Sequence, residues 1–246
     1  MSSNKEYDLI FSIGEACSCT SVLRALNLQQ ASYPFDWLFG SDFLGRCNIL
    51  INDFDRFIEK NDLEYSYEER SISCVAYHNV FNDITFNHDF LKSVEFNAMY
   101  EDVKQKYERR IKRLLSKISE AQKFLIVYVE VPSSSHIRVE NDEILKGYEI
   151  LRQKFGNKVD LLYIKNEKCA KKVQTFDNVV IISLDYKAHN AQFDYEVKMD
   201  NLKKALEGYR LKMPFVYLVR LKLLKFFIKI IPGKKNRQYW RKKYHV

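Results

Sequence analysis

Apolar and polar residues alternate along this chain in two different rhythms. Near-continuous apolar runs occur at 8–13, 123–131, 159–164 and 179–184. Runs of this kind predict short strands buried on both faces. Between and around them the apolar positions recur at helical spacing. Ser18 to Leu28 predicts a helix through Val22, Leu23, Leu26 and Leu28, with Ser18 or Thr20 as N-cap. Asp42 to Glu59 predicts a second, with weaker periodicity. Asn97 to Gln122 is the strongest, carrying Val103, Tyr107, Ile111, Leu114, Leu115 and Ile118 on one side and a basic face on the other. Asn141 to Phe155 closes on Gly156 as a C-cap. Glu167 to Thr175 and Phe193 to Tyr209 complete the helices.

Two stretches depart from this order. Gln30 to Gly40 reads as a loop with Pro34 and the aromatics Tyr33, Phe35, Trp37 and Phe39. Ile72–Tyr77 and Val80–Phe86 flank His78-Asn79 and predict a β-hairpin inserted near residues 64 to 90. Buried strands alternating with helices predict an α/β fold: a mostly parallel central sheet flanked by helices, with four core strands. The expected organisation is one domain over about residues 5–208, followed by an amphipathic extension at 209–246.

Composition changes this picture in one place. With 46% hydrophobic and 29% charged residues, 7 Gly and 4 Pro, the chain is neither disordered nor linker-like. The net charge of +8 is unevenly held. Residues 209–246 carry twelve Lys or Arg and no acid, while the rest has a small excess of acid. Within that tail Phe215 to Ile231 is apolar over a wide arc, with Lys222, Lys225 and Lys229 on one stripe. Pro232-Gly233 ends it, and bases interleaved with Tyr239, Trp240 and Tyr244 follow. This composition predicts a helix lying in the plane of an anionic membrane surface. Docking on the body and binding nucleic acid are the rival readings; no nucleic-acid fold is apparent, and no nucleic acid is expected. The five cysteines form no C-x-x-C pair, which fits a reduced compartment. The acidic start lacks an apolar signal region, and no run is long enough to span a bilayer. The expected location is cytoplasmic, at the inner face of the cell membrane.

Candidate chemistry centres on Ser12-Ile-Gly-Glu-Ala-Cys17. Ligands of open α/β sheets bind beyond the carboxyl ends of the strands, and Cys17 falls there, near a helix start. Helix N-termini offer positive charge and free N–H groups. The expectation is therefore a lowered thiol pKa, with N–H donors for an oxyanion. Gly14 would let backbone and substrate approach closely. The plainer reading of any free cysteine is packing, and Cys19, Cys47, Cys74 and Cys169 are read so. A cysteine nucleophile needs a base. His88, at the end of the expected hairpin, and His189, just past the last core strand, are the candidates. Asp36 or Asp89 could orient an imidazole; turn and cap roles are the simpler alternative. Arg109, Arg110, Lys112 and Arg113 could bind a donor phosphate or carboxylate, or form a solvated face. No nucleotide-binding or zinc-protease motif is present, and neither a metal nor a cofactor is expected.

Ser12-Ile-Gly-Glu-Ala-Cys17, the leucine-rich helix, Pro34-Phe-Asp-Trp37, Asn87-His-Asp-Phe90 and Arg109-Arg-Ile-Lys-Arg-Leu114 follow in this order. Together they resemble a bacterial family of putative papain-like cysteine peptidases of unknown function, over about residues 7 to 207. The resemblance implies Cys17 as nucleophile and His88 as its histidine. His189 to Leu202 also resembles a family segment, with Lys187 or Ala188 where the family carries an aromatic. Gly14, Trp37, Asn87, Arg109 and Arg110 are the candidate substrate contacts. A papain layout sets its histidine on an antiparallel barrel, whereas the second half of this chain reads as parallel α/β. The shared feature is a thiol at a helix N-terminus, which supports cysteine-dependent acyl chemistry more than proteolysis. The substrate expected is an acyl or peptide compound. An acyltransferase in capsule or surface-polysaccharide assembly is the alternative enzyme. An inert protein holding a lipid-linked glycan or a partner enzyme is the alternative outside catalysis.

Overall fold

The computed structural model describes residues 5–68, 73–130, 139–186, 198–213, 215–233, 235–237 and 239–240. In chain order its elements are β1 (Lys5–Tyr7), β2 (Leu9–Ser12), α1 (Ala16–Ala25), β3 (Leu38–Gly40), α2 (Phe43–Ile51), β4 (Leu63–Glu68), β5 (Cys74–Asn79), β6 (Ile84–Leu91) and α3 (Phe96–Glu120). There follow β7 (Phe124–Val129), α4 (Asn141–Phe155), β8 (Val159–Asn166), β9 (Lys172–Phe176), β10 (Val179–Leu184), α5 (Met199–Ala205), β11 (Tyr209–Leu211) and α6 (Phe215–Ile230).

The fold is mixed α/β, but its strands form three sheets rather than one mostly parallel one. The largest has the order β2-β7-β8-β10-β9. Its first four strands, the four expected from the apolar runs, are parallel. Along β7 the side chains alternate between two cores. Phe124, Ile126 and Tyr128 face α2, α3 and α4, while Leu125, Val127 and Val129 face α1 and α5. Both faces are covered, so the strands read as near-continuous apolar runs.

The fifth strand corrects the helix expected at Glu167 to Thr175. β9 lies antiparallel to β10, and Asp177-Asn178 close a two-residue turn with Asp177 at φ 45°. Asp in a positive-φ turn position is the ordinary chemistry of a tight hairpin. All five β9 residues are exposed, so no buried apolar pattern marks the segment. The expected helix at Phe193 to Tyr209 is described only as α5; residues 187–197 lie outside the described residues.

The expected β-hairpin is part of a larger antiparallel sheet, β3-β6-β5-β4. Its turn is not at His78-Asn79, which belong to β5. The chain reverses at 80–83 instead, where Asn79 Oδ1 accepts the Asn82 N–H at 2.7 Å and Asp83 sits at φ 53°. β3, from the stretch expected to be loop, pairs with β6 through Leu38 and Phe86. β1 and β11 form a separate parallel pair. Tyr7 stacks on Tyr209, and Lys212 N–H donates to Tyr7 O at 2.8 Å. The chain therefore stays joined to the body through Lys212. Among the described residues no helix is long and apolar enough to cross a membrane.

Candidate active site

The entry into α1 is built by close backbone packing. β2 ends at Ser12, whose Oγ accepts the Gly14 N–H at 3.0 Å. A Cβ at Gly14 would lie 2.9 Å from Val129 N and 3.0 Å from Cys19 Cβ. Only glycine fits between β7 and α1 there. Glu15 is the N-cap residue, yet its side chain does not cap α1. Its buried carboxylate accepts the Tyr128 hydroxyl at 2.7 Å. Ser18 and Thr20 lie inside the helix and are not the cap. The first-turn N–H groups thus have no side-chain cap and no intrahelical partner. Cys17 is the second residue of this turn and is partly exposed.

Two buried polar hubs hold the turn in place. Arg46 is fully buried and donates only to backbone carbonyls. Its Nη1 reaches Gly14 O at 2.9 Å and Ile13 O at 3.3 Å; its Nη2 reaches Gly40 O at 2.7 Å and Leu38 O at 3.2 Å. One guanidinium therefore ties the end of β2 to β3. Burial pulls its pKa down, while Tyr128 and Glu15 oppose that pull. Arg46 was not among the residues expected to shape the site. Its signal was a lone arginine on the apolar face of α2, one turn from Phe43 and Leu50.

Asp36 is the second hub. It accepts from Thr20 Oγ1 at 2.8 Å, Gln29 Nε2 at 2.8 Å, Tyr33 N at 3.0 Å and Arg24 Nη2 at 3.1 Å. Burial raises its pKa against these four donors. Its partners are α1 and the Pro34 loop rather than an imidazole, so it positions the helix bearing Cys17. Trp37, next in the chain, adopts φ 71° and lies under the Arg24 guanidinium at 5.5 Å. Positive φ strains a bulky aromatic, and the loop carries that strain beside α1.

The expected lowering of the Cys17 pKa is reversed. Burial pushes the thiol up, and the helix N–H at Cys17 itself pulls it down by less. Desolvation of the thiolate outweighs the N-terminal field here. Cys19 is fully buried, 3.6 Å from Val127 O, and its pKa is pushed up to about 12. Cys19, Cys47 and Cys74 are packing residues, as expected; Cys169 is half-buried beside Glu167.

His88 sits in a break of the antiparallel ladder. Tyr77 pairs with Phe86 and Val75 with Phe90, so Asn87, His88 and Asp89 oppose Ala76 alone. Such bulges re-aim side chains, and His88 is exposed. Asn87 donates to Tyr67 Oη at 2.8 Å, but its buried Oδ1 has no hydrogen-bond partner. Asp89 accepts from Tyr107 Oη at 2.8 Å and from Lys106, and it holds no imidazole. Arg110 covers the Tyr107 ring at 5.2 Å, whereas Arg109 is exposed. His78 is bonded to Thr85 and Asp83. Among the described residues no hydrogen bond or ion pair joins Cys17 to a histidine. His136, His189 and His245 lie outside the described residues. Among the described residues no group of three or more His, Cys, Asp or Glu is arranged to hold a metal ion.

A partly exposed thiol in the uncapped first turn of a helix, beyond the end of a parallel strand, defines an α/β protein of the thiol-bearing class. Residues 8–160 match the family described as putative papain-like cysteine peptidase (DUF1796), and the chain belongs to that family. The match includes Cys17, Asp36 and the Asn87–Asp89 bulge, and ends before His189, α5 and α6. An uncharacterised protein of Acanthamoeba polyphaga mimivirus is 27% identical over 154 residues, 56% of this chain and 68% of that protein. This relative is viral, so the family membership carries no bacterial origin with it. No solved structure matches the chain.

Proposed function

We propose that this protein is a cysteine-dependent hydrolase of acyl compounds, with Cys17 as nucleophile and His88 as base. The observation that carries the reading is the first turn of α1, which presents a partly exposed thiol beside N–H groups with no side-chain cap. Family membership supports the same chemistry. Because burial keeps the thiol protonated near neutrality, a base must take its proton as the sulfur attacks. Asp36 lies two residues before Leu38, and His88 lies two residues after Phe86, the partner of Leu38. Those stretches leave the antiparallel pair on the same side. Asp36 in turn bonds Thr20, one helical turn beyond Cys17.

In the reaction the Cys17 S–H proton passes to His88 and sulfur bonds to the acyl carbon. The α1 N–H groups stabilise the resulting oxyanion. Collapse expels the amine or alcohol, which takes the proton from His88. Water, deprotonated by His88, then releases the acid and regenerates the thiol. A sugar hydroxyl in place of that water would make the same pair an acyltransferase. The raised thiol pKa and the lack of a histidine contact favour one non-catalytic reading, a binding protein whose Cys17 is inert.

The test is mass spectrometry of the full chain after exposure to a panel of activated acyl esters and thioesters. The expected result is a single acyl adduct on Cys17 that decays in water. Cys17→Ser abolishes the adduct, and His88→Ala slows its formation about a hundredfold or more. If His88→Ala acylates normally and His189→Ala does not, the base is reassigned. No adduct with any ester leaves the binding reading.

A further inference from the structure

We propose that α6 is a docking surface for an anionic phospholipid bilayer, held parallel to the membrane plane. This inference does not depend on the reaction of Cys17.

The helix has three sectors. Ile228 is buried, and Leu224 beside it is half-buried; these face the protein. Val219, Leu223, Phe226, Phe227 and Ile230 recur at i, i+4, i+7, i+8 and i+11 and share the opposite sector. They are 39%, 52%, 60%, 56% and 62% exposed, so this sector has no partner among the described residues. Lys222 and Lys229 are exposed along its border. Beyond Pro232 and Gly233 come exposed Lys235 and the Tyr239–Trp240 pair, whose rings meet edge to face at 5.5 Å.

By contrast, the apolar side of α3 is covered: Tyr100, Val103, Tyr107, Leu114 and Ile118 are buried, and Ile111 and Leu115 are half-buried against the core. The exposed sector of α6 is therefore not a general property of the helices here. An apolar sector bordered by lysines and followed by interfacial aromatics matches the boundary between acyl chains and anionic headgroups. Sixteen residues give a rod of about 24 Å, too short to span the hydrocarbon core but suited to lying in its surface.

Charge selects among the occupants. No acid occurs from Tyr209 to Val246. A second copy packed through this sector would bring lysine borders together without counter-charges. Nucleic acid would satisfy the bases but leave Phe226, Phe227 and Ile230 in water. An anionic bilayer satisfies both.

The test is cosedimentation of the full chain with vesicles of phosphatidylcholine, with and without about one third phosphatidylglycerol. The wild-type chain is expected to sediment with the anionic vesicles, to stay in solution with the neutral ones, and to be released at about 0.5 M salt. Phe226→Ser combined with Phe227→Ser lowers partitioning about tenfold or more, with an unchanged melting curve. Phe81→Ser, at an exposed aromatic in the 80–83 turn, leaves it unchanged. Binding that ignores lipid charge overturns the proposal, as does a Phe226/Phe227 variant that partitions normally. Lipid-free self-association abolished by the same pair of substitutions also overturns it, in favour of a second copy. So does a duplex oligonucleotide that competes the chain off vesicles.

Discussion

The turn leading into α1 and the bulge of β6 carry the two side chains that the proposed chemistry needs, and the fold treats them in opposite ways. Around the turn the buried charged side chains are all paired, although Gln29 Oε1 beside Asp36 is a buried acceptor without a hydrogen-bond partner among the described residues. Arg46 clamps five carbonyls, those of Ile13 and Gly14 just past β2, Leu38 and Gly40 in β3, and Ser41; Asp36 gathers four donors, and Glu15 takes the Tyr128 hydroxyl. At the bulge Asn87 Oδ1 is buried without a partner among the described residues, and His88 is exposed. An unmet buried acceptor costs about 1–3 kcal/mol. The proposed nucleophile is thus held by the interactions that stabilise the fold, while the proposed base sits where the ladder is interrupted. Groups that must move or meet a ligand are drawn from such regions.

This contrast can be broken at its strongest point first. Asp36→Ala strands the Thr20, Gln29, Arg24 and Tyr33 donors and is expected to destabilise the protein by about 3–5 kcal/mol in urea unfolding. A loss under about 1 kcal/mol would mean that the turn is not held by this hub. The next effect separates Cys17 from Cys19. Because burial raises the Cys17 pKa, its thiolate fraction climbs about tenfold per pH unit throughout the neutral range. Iodoacetamide should label Cys17 slowly at pH 6 and faster at each step to pH 9, with Cys19 unlabelled until the chain unfolds. A rate that levels off below pH 7 would restore the helix N-terminus as the dominant influence. The smallest effect is at the bulge. His88→Ala should change the unfolding free energy in urea by less than about 0.5 kcal/mol even as acylation falls, since its side chain is exposed.

Legibility in the sequence follows the same division. The four parallel strands were readable within a few residues because both of their faces are buried, which leaves few polar positions in the run. α4 was readable from Asn141 to Phe155 because Gly156 takes φ 65° at its end. β9 and β3 were not. One is an exposed edge and the other three residues long, and both are strands by virtue of the partner that pairs with them. The same holds for the reversal at 80–83, where the Asn79 side chain sets the turn.

By itself the amino-acid order determined which segments enter the core, where the long helices lie, that Cys17 follows a strand and opens a helix, and that the bases are concentrated at one end. These are local properties, carried by hydrophobic period, glycine placement and charge. Only the tertiary structure decided that Arg46 is buried among carbonyls from residues some thirty positions away. It also decided that Asp36 braces α1 instead of an imidazole, and that the Cys17 thiol is shifted up rather than down. Burial and long-range hydrogen bonding are set by what packs around a residue, and that company is chosen by the whole chain at once.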